Sequence, residues 1–96
     1  MTLRELLTEK REEILAIAAR RGASNVRIFG SVARGEERQN SDIDFLVDFA
    51  PETSLLTHAG LVVDLQKLLG RKVDVVRAKS LKPRLKDSVL SEAVPL

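Results

Sequence analysis

The sequence predicts an α/β domain: a small mixed β-sheet of about three strands flanked by helices, in the order α-β-(short α)-β-α-β-α. Three observations predict it. Apolar residues recur at helical spacing in the stretches 3–21, 54–69 and 81–93. Between these stretches lie three short runs with the alternation of strands, residues 25–29, 42–49 and 72–77. The second and third runs are separated by one of the helical stretches, and a crossover of about a dozen residues is what a parallel strand pair requires.

The elements follow in order. Thr2 with Glu5 forms a capping-box pattern, and Leu3, Leu6, Leu7, Ile14, Ile17 and Ala18 sustain one helix over 3–21 until Gly22 stops it. Residues 25–29 form the first strand, ending at Gly30. A short helical stretch follows, and residues 35–41, GEERQNS, make a polar loop that returns the chain to Asp42. In the second strand, 42–49, the apolar set Ile43, Phe45, Val47 and Phe49 points one way, while Asp42 and Asp44 point the other. Pro51 ends that strand. A helix over 54–69 has Gly70 beyond its end, and strand 72–77 puts Val73 and Val75 on one face and Asp74 with Val76 on the other. Ser80 is positioned to cap a last helix, with Pro83 in its first turn and Leu81, Leu85, Val89 and Ala93 spaced by four. For Gly30 to meet Asp42 and Asp44, strands one and two must be antiparallel. For Asp74 to join them, strand three must be parallel to strand two.

Composition narrows the function. Ninety-six residues are read as one domain, 1–96, without room for a separate acceptor-binding domain. The three phenylalanines are the only aromatic residues, so the core is aliphatic. There is no cysteine, which excludes disulfides, thiolate metal sites and a Cys nucleophile. No apolar run approaches the roughly 20 residues of a membrane span, and the N-terminus is charged too early for a signal peptide, so a cytoplasmic protein is expected. From Lys67 to Lys86 there are eight Lys or Arg and a single acid, Asp74. No aromatic residue is interleaved with them to stack on bases, which argues against nucleic acid as the direct substrate. A solvated basic face and a surface for an anionic partner both remain open.

The chemistry lies between Ile28 and Phe49. Two carboxylates side by side on a strand repel each other, and a divalent cation such as magnesium relieves that repulsion. The Gly30-Ser31 turn offers backbone N–H groups of the kind that bind phosphate. Gly30 also keeps the backbone open to a triphosphate, Ser31 adds a hydroxyl donor, and Arg34 is either a phosphate ligand or a helix-surface partner of Glu36 or Glu37. Ser41 orients the turn into Asp42. His58, the only histidine, reads as an ordinary helix residue, and Asp48 and Asp64 have no assigned role.

Gly30-Ser31, ten residues, then Asp42-x-Asp44, with Ala33-Arg34-Gly35 after the Gly-Ser, resembles the signature of the polymerase-beta-like nucleotidyltransferase superfamily. The whole chain resembles its smallest branch, the minimal nucleotidyltransferase (MNT) family, commonly encoded as the antitoxin beside a HEPN-domain toxin. The resemblance implies two-metal-ion catalysis with Mg2+. Asp42, Asp44 and Asp74 would be the metal ligands and catalytic acids, and Gly30, Ser31 and Arg34 the nucleotide contacts. It implies AMP transfer from ATP to a hydroxyl of a HEPN-type toxin in a hetero-oligomer. The alternative is a non-catalytic antitoxin that silences its toxin by stoichiometric binding. Aminoglycoside-modifying relatives carry an extra helical domain that this chain does not encode.

Overall fold

Thr2 and Glu5 satisfy each other's backbone: the Thr2 hydroxyl accepts from Glu5 N at 3.1 Å, and Glu5 Oε1 accepts from Thr2 N at 3.0 Å. In the computed structural model, which describes residues 1–36, 38 and 41–96, this box starts α1, Leu3–Glu9. The chain then bends at Lys10 into α2, Arg11–Arg20, so the single helix expected over 3–21 is two. Lys10 still donates to Leu6 O and accepts from Ile14 N, which makes the break a bend rather than a loop. Neither Pro nor Gly marks it in the sequence. The predicted stripe nevertheless faces inward, with Leu3, Leu7, Ile14 and Ala18 all buried.

Strand β1, Ala23–Phe29, begins two residues before the expected start. Its pairing with the next strand shifts between Ser24 and Arg27, where Asn25 adopts φ +50°, one of the few non-glycine residue types that tolerate this region. Helix α3, Gly30–Ala33, is a single turn, and β2 spans Ile43–Phe49. Parts of the predicted polar loop, Glu37, Gln39 and Asn40, lie outside the described residues. Ser54 caps α4, Leu55–Leu69, through Thr57 N, and Gly70 closes it in the left-handed conformation as expected. Strand β3 is Val73–Arg77.

The C-terminal part departs from the sequence reading. Ser80 does not cap the last helix: it ends a 3-10 turn, Ala78–Ser80, and α5 runs Pro83–Glu92 with Lys82 at its N-cap and no side-chain cap bond. No residue of α5 is buried, and Leu85 of its apolar stripe is 47% exposed. After the helix, Val94–Pro95 forms a fourth strand, β4, on the outer side of β1. A two-residue strand is too short to show alternation, and its proline is compatible only with an edge.

The sheet order is β3-β2-β1-β4, with β1 antiparallel to β2 and β4, and β2 parallel to β3 across α4. This is the topology that the placement of the acidic residues requires. One face forms the core: Ile14 and Ala18 of α2 and Leu61 and Leu65 of α4 lie in one cluster with Ile28, Ile43, Phe45 and Val75 of the sheet. Arg21 pairs with Asp64 at 2.9 Å between the end of α2 and α4, giving Asp64 a structural role. By strand alternation the opposite face carries Asp44 and Asp74, and Asp42 immediately precedes β2.

Candidate active site

Asp44 lies directly opposite Asp74 in the parallel pairing of β2 and β3. Paired residues share a face at a strand spacing of about 4.8 Å, so the two carboxylates stand side by side. Asp42, expected to open the strand, lies just before it, and its charge acts on Asp44. On its other side Asp44 pairs with Phe29, the last residue of β1. The chain therefore turns at Gly30 against the Asp44 carboxyl. Gly30 has φ +74°, and a Cβ there would collide with Asp44 Oδ2 and lie 3.1 Å from Cγ. Glycine is needed here by backbone conformation and by the closeness of Asp44, in addition to any need for phosphate access.

Burial first, then the charges of Asp74 and Asp42, hold the Asp44 carboxyl above its usual range; Arg34 acts in the opposite direction and Glu92 in the same one. A carboxyl raised in the folded chain takes up its proton there before it does so in the unfolded chain. The stability it contributes is complete below the unfolded value and is lost as pH rises through the folded value. Metal-free wild type is therefore expected to gain a few degrees in Tm relative to Asp44→Asn as pH falls through this window. Parallel melts of the two proteins across pH check it; a constant difference would contradict the electrostatic coupling.

Arg34 caps the end of α3 and is bound by two carboxylates. Its Nε donates to Glu36 at 3.0 Å, and its Nη1 donates to Glu92. The surface pair with Glu36 weighed from sequence is therefore present, while Glu37 lies outside the described residues. The Gly30 N–H is also taken: it donates to Glu92 Oε1 at 3.0 Å. The expectation that the turn's N–H groups are free is thus corrected at Gly30, leaving the following positions of α3, beginning with Ser31, as backbone donors. Glu92 was missed from sequence because it is 62 positions from Gly30, at the end of an exposed helix.

The carboxylates suit magnesium in chemistry but are not a finished cage. Among the described residues no three of His, Cys, Asp and Glu come together as a metal-binding group. Asp44 and Asp74 supply neighbouring hard oxygens, and magnesium is commonly held by one or two carboxylates plus the phosphates of its substrate. The donor set fits a cation that arrives with a nucleotide.

Other sequence-selected residues are structural here. Ser41 Oγ accepts from Arg38 N at 2.7 Å. His58 is more than a helix-surface residue: Nε2 bonds Val75 O at 2.9 Å, Nδ1 accepts from Arg77 Nε at 3.1 Å, and its ring lies 5.2 Å from Phe49. Asp48 pairs with Arg27 at 3.3 Å. A cavity of about 190 Å³ between Phe49, Pro51, Arg77 and Lys79 lies toward the other end of these strands and shares no residue with the acidic group.

The model of the nucleotidyltransferase domain matches residues 11–96. The chain belongs to the nucleotidyltransferase family. Among curated relatives, protein adenylyltransferase MntA of Thermococcus cleftensis is 40% identical, covering 98% of this chain and 95% of that protein. A solved structure of a candidate minimal nucleotidyltransferase is 52% identical, with a TM-score of 0.87 over 96% of this chain and 94% of that one. These similarities place this nucleotidyltransferase in the minimal branch. At 20% identity, the fold is also shared with an MNT antitoxin solved in complex with a tri-AMPylated HEPN toxin of Shewanella oneidensis, with a TM-score of 0.70 over 92% of this chain and 69% of that one.

Proposed function

We propose that this nucleotidyltransferase transfers AMP from ATP to a hydroxyl side chain of a HEPN-type toxin, and that it thereby acts as an antitoxin. The observation that carries the reading is the placement of Asp44 beside Asp74 and against the Gly30 turn, with the Asp42 charge acting on Asp44. The MntA relative and the complex with a tri-AMPylated toxin support the choice of AMP and of a protein acceptor.

In this reading Asp42, Asp44 and Asp74 would hold magnesium, two ions in the full form, together with the phosphates of the nucleotide. The bound metal supplies charge neutralisation for an in-line displacement at the α-phosphate. Ser31 and Arg34 bind the outer phosphates, and the Gly30 turn keeps the backbone close to Asp44. The acceptor oxygen bonds to the α-phosphorus as the bond to the α,β-bridging oxygen breaks. Pyrophosphate leaves, and the hydroxyl proton passes to Asp74. We take residues 1–96 as one domain, with the acceptor brought by the partner in a hetero-oligomer. No helix among the described residues is long and apolar enough to cross a membrane.

ATP binding is expected to depend on a divalent cation, because a triphosphate beside three carboxylates is strongly repelled. Calorimetric titration with magnesium should give at least about a tenfold tighter Kd than in EDTA. Equal affinities would remove the metal site from the account.

A further inference from the structure

Pairing of β1 with β2 ends at Phe29, so the next backbone donor, Gly30 N–H, finds its acceptor outside that ladder. Glu92 Oε1 fills this role at 3.0 Å and also accepts from Arg34 Nη1. Gly30 is the first residue of α3 and Arg34 its C-cap, so one carboxylate oxygen ties both ends of this single helical turn. Glu92 is itself held on both sides of its position. It is the last residue of α5, whose C-cap Ala93 N donates to Val89 O, and β4 begins two residues later on β1. The Arg34 guanidinium has five N–H donors, and the bonds to Glu36 and Glu92 leave donor capacity for a phosphate. Glu92 adds negative charge beside Asp44, which is electrostatically unfavourable for a triphosphate, while its two bonds order the turn that would receive it.

We propose that Glu92 is a positioning residue of the nucleotidyl-transfer site, holding the Gly30-Ser31 turn and Arg34 in the arrangement that receives the triphosphate and linking that turn to the C-terminal helix and edge strand. The inference rests on the adenylyltransfer reading of the same site. A positioning role and a competing role predict opposite signs. If Glu92 sets the turn, its removal weakens nucleotide binding; if it blocks the anion site, its removal strengthens it.

The test compares wild type, Glu92→Ala and Glu92→Gln by calorimetry with magnesium-ATP. Glutamine keeps an oxygen acceptor at the position without the charge, whereas alanine keeps neither. Alanine is expected to weaken magnesium-ATP binding on the order of tenfold, and glutamine to restore most of that loss. In the alanine variant the Gly30 amide proton should move upfield in NMR spectra while the resonances of Phe45 and Leu65 stay in place, which separates a local change from unfolding. Alanine binding as tightly as wild type, or more tightly, would overturn the inference. Transfer by wild type is recorded separately: a wild type that binds magnesium-ATP but modifies no partner defeats the adenylyltransfer reading, while the binding series still decides the role of Glu92.

Discussion

Gly30→Ala is expected to remove most transfer activity and to lower stability at the same time. Alanine at φ +74° carries a conformational cost of about 1–2 kcal/mol. Its Cβ would also enter the space of the Asp44 carboxylate, so either the turn or Asp44 must move. A displacement of about 1 Å in a positioned group can cost about a hundredfold in rate. The stability loss corresponds to a fall in Tm of roughly 5–15 °C for a domain of this size. Thermal melts and a labelled-ATP transfer assay on the same preparation measure both effects. Because Asp44 is the residue struck, magnesium-dependent binding should fall along with activity; a variant with wild-type transfer would mean that the closeness of Gly30 and Asp44 is irrelevant to the reaction.

The double substitution Asp42→Asn with Asp44→Asn separates chemistry from folding in the opposite way. Removing two proposed metal ligands is expected to reduce transfer by at least about a thousandfold, which corresponds to several kcal/mol of transition-state stabilisation. The metal-free fold should be retained and its Tm raised by a few degrees, because burial and the neighbouring Asp42 and Asp74 charges disfavour ionised Asp44. Melts in EDTA and transfer assays with magnesium provide the comparison. A melting temperature well below wild type would make these acids structural.

These residues were legible in the sequence because their signals are local. Alternation in IDFLVDF separates Asp44 from the buried Ile43, Phe45 and Val47, and the Gly-Ser turn precedes it by a fixed interval. The requirement that Asp74 join them also determined the parallel pairing of β2 and β3. What the sequence did not disclose depends on contacts between distant positions. The bend at Lys10 keeps its helical bonds, so no breaker residue marks it. Strand β4 exists only because β1 offers it an edge, and its two residues carry no periodic pattern. The regular spacing of Leu81, Leu85 and Val89 suggested a packed helix, yet α5 buries none of its residues. Its last residue, Glu92, instead reaches the Gly30 turn, a connection that local periodicity cannot reveal.

The central claim is that silencing of the partner is chemical and persists after separation. A purified HEPN-type toxin would be incubated with a substoichiometric amount of this chain, ATP and magnesium, then separated from it and examined by intact mass and ribonuclease assay. The account predicts toxin heavier by whole adenylyl units, in excess of the amount of this chain added, and still inactive once alone. Binding without transfer shifts a population only while the partner is present. A toxin of unchanged mass that regains full activity on separation would contradict the account and leave this chain as a stoichiometric inhibitor on a nucleotidyltransferase fold.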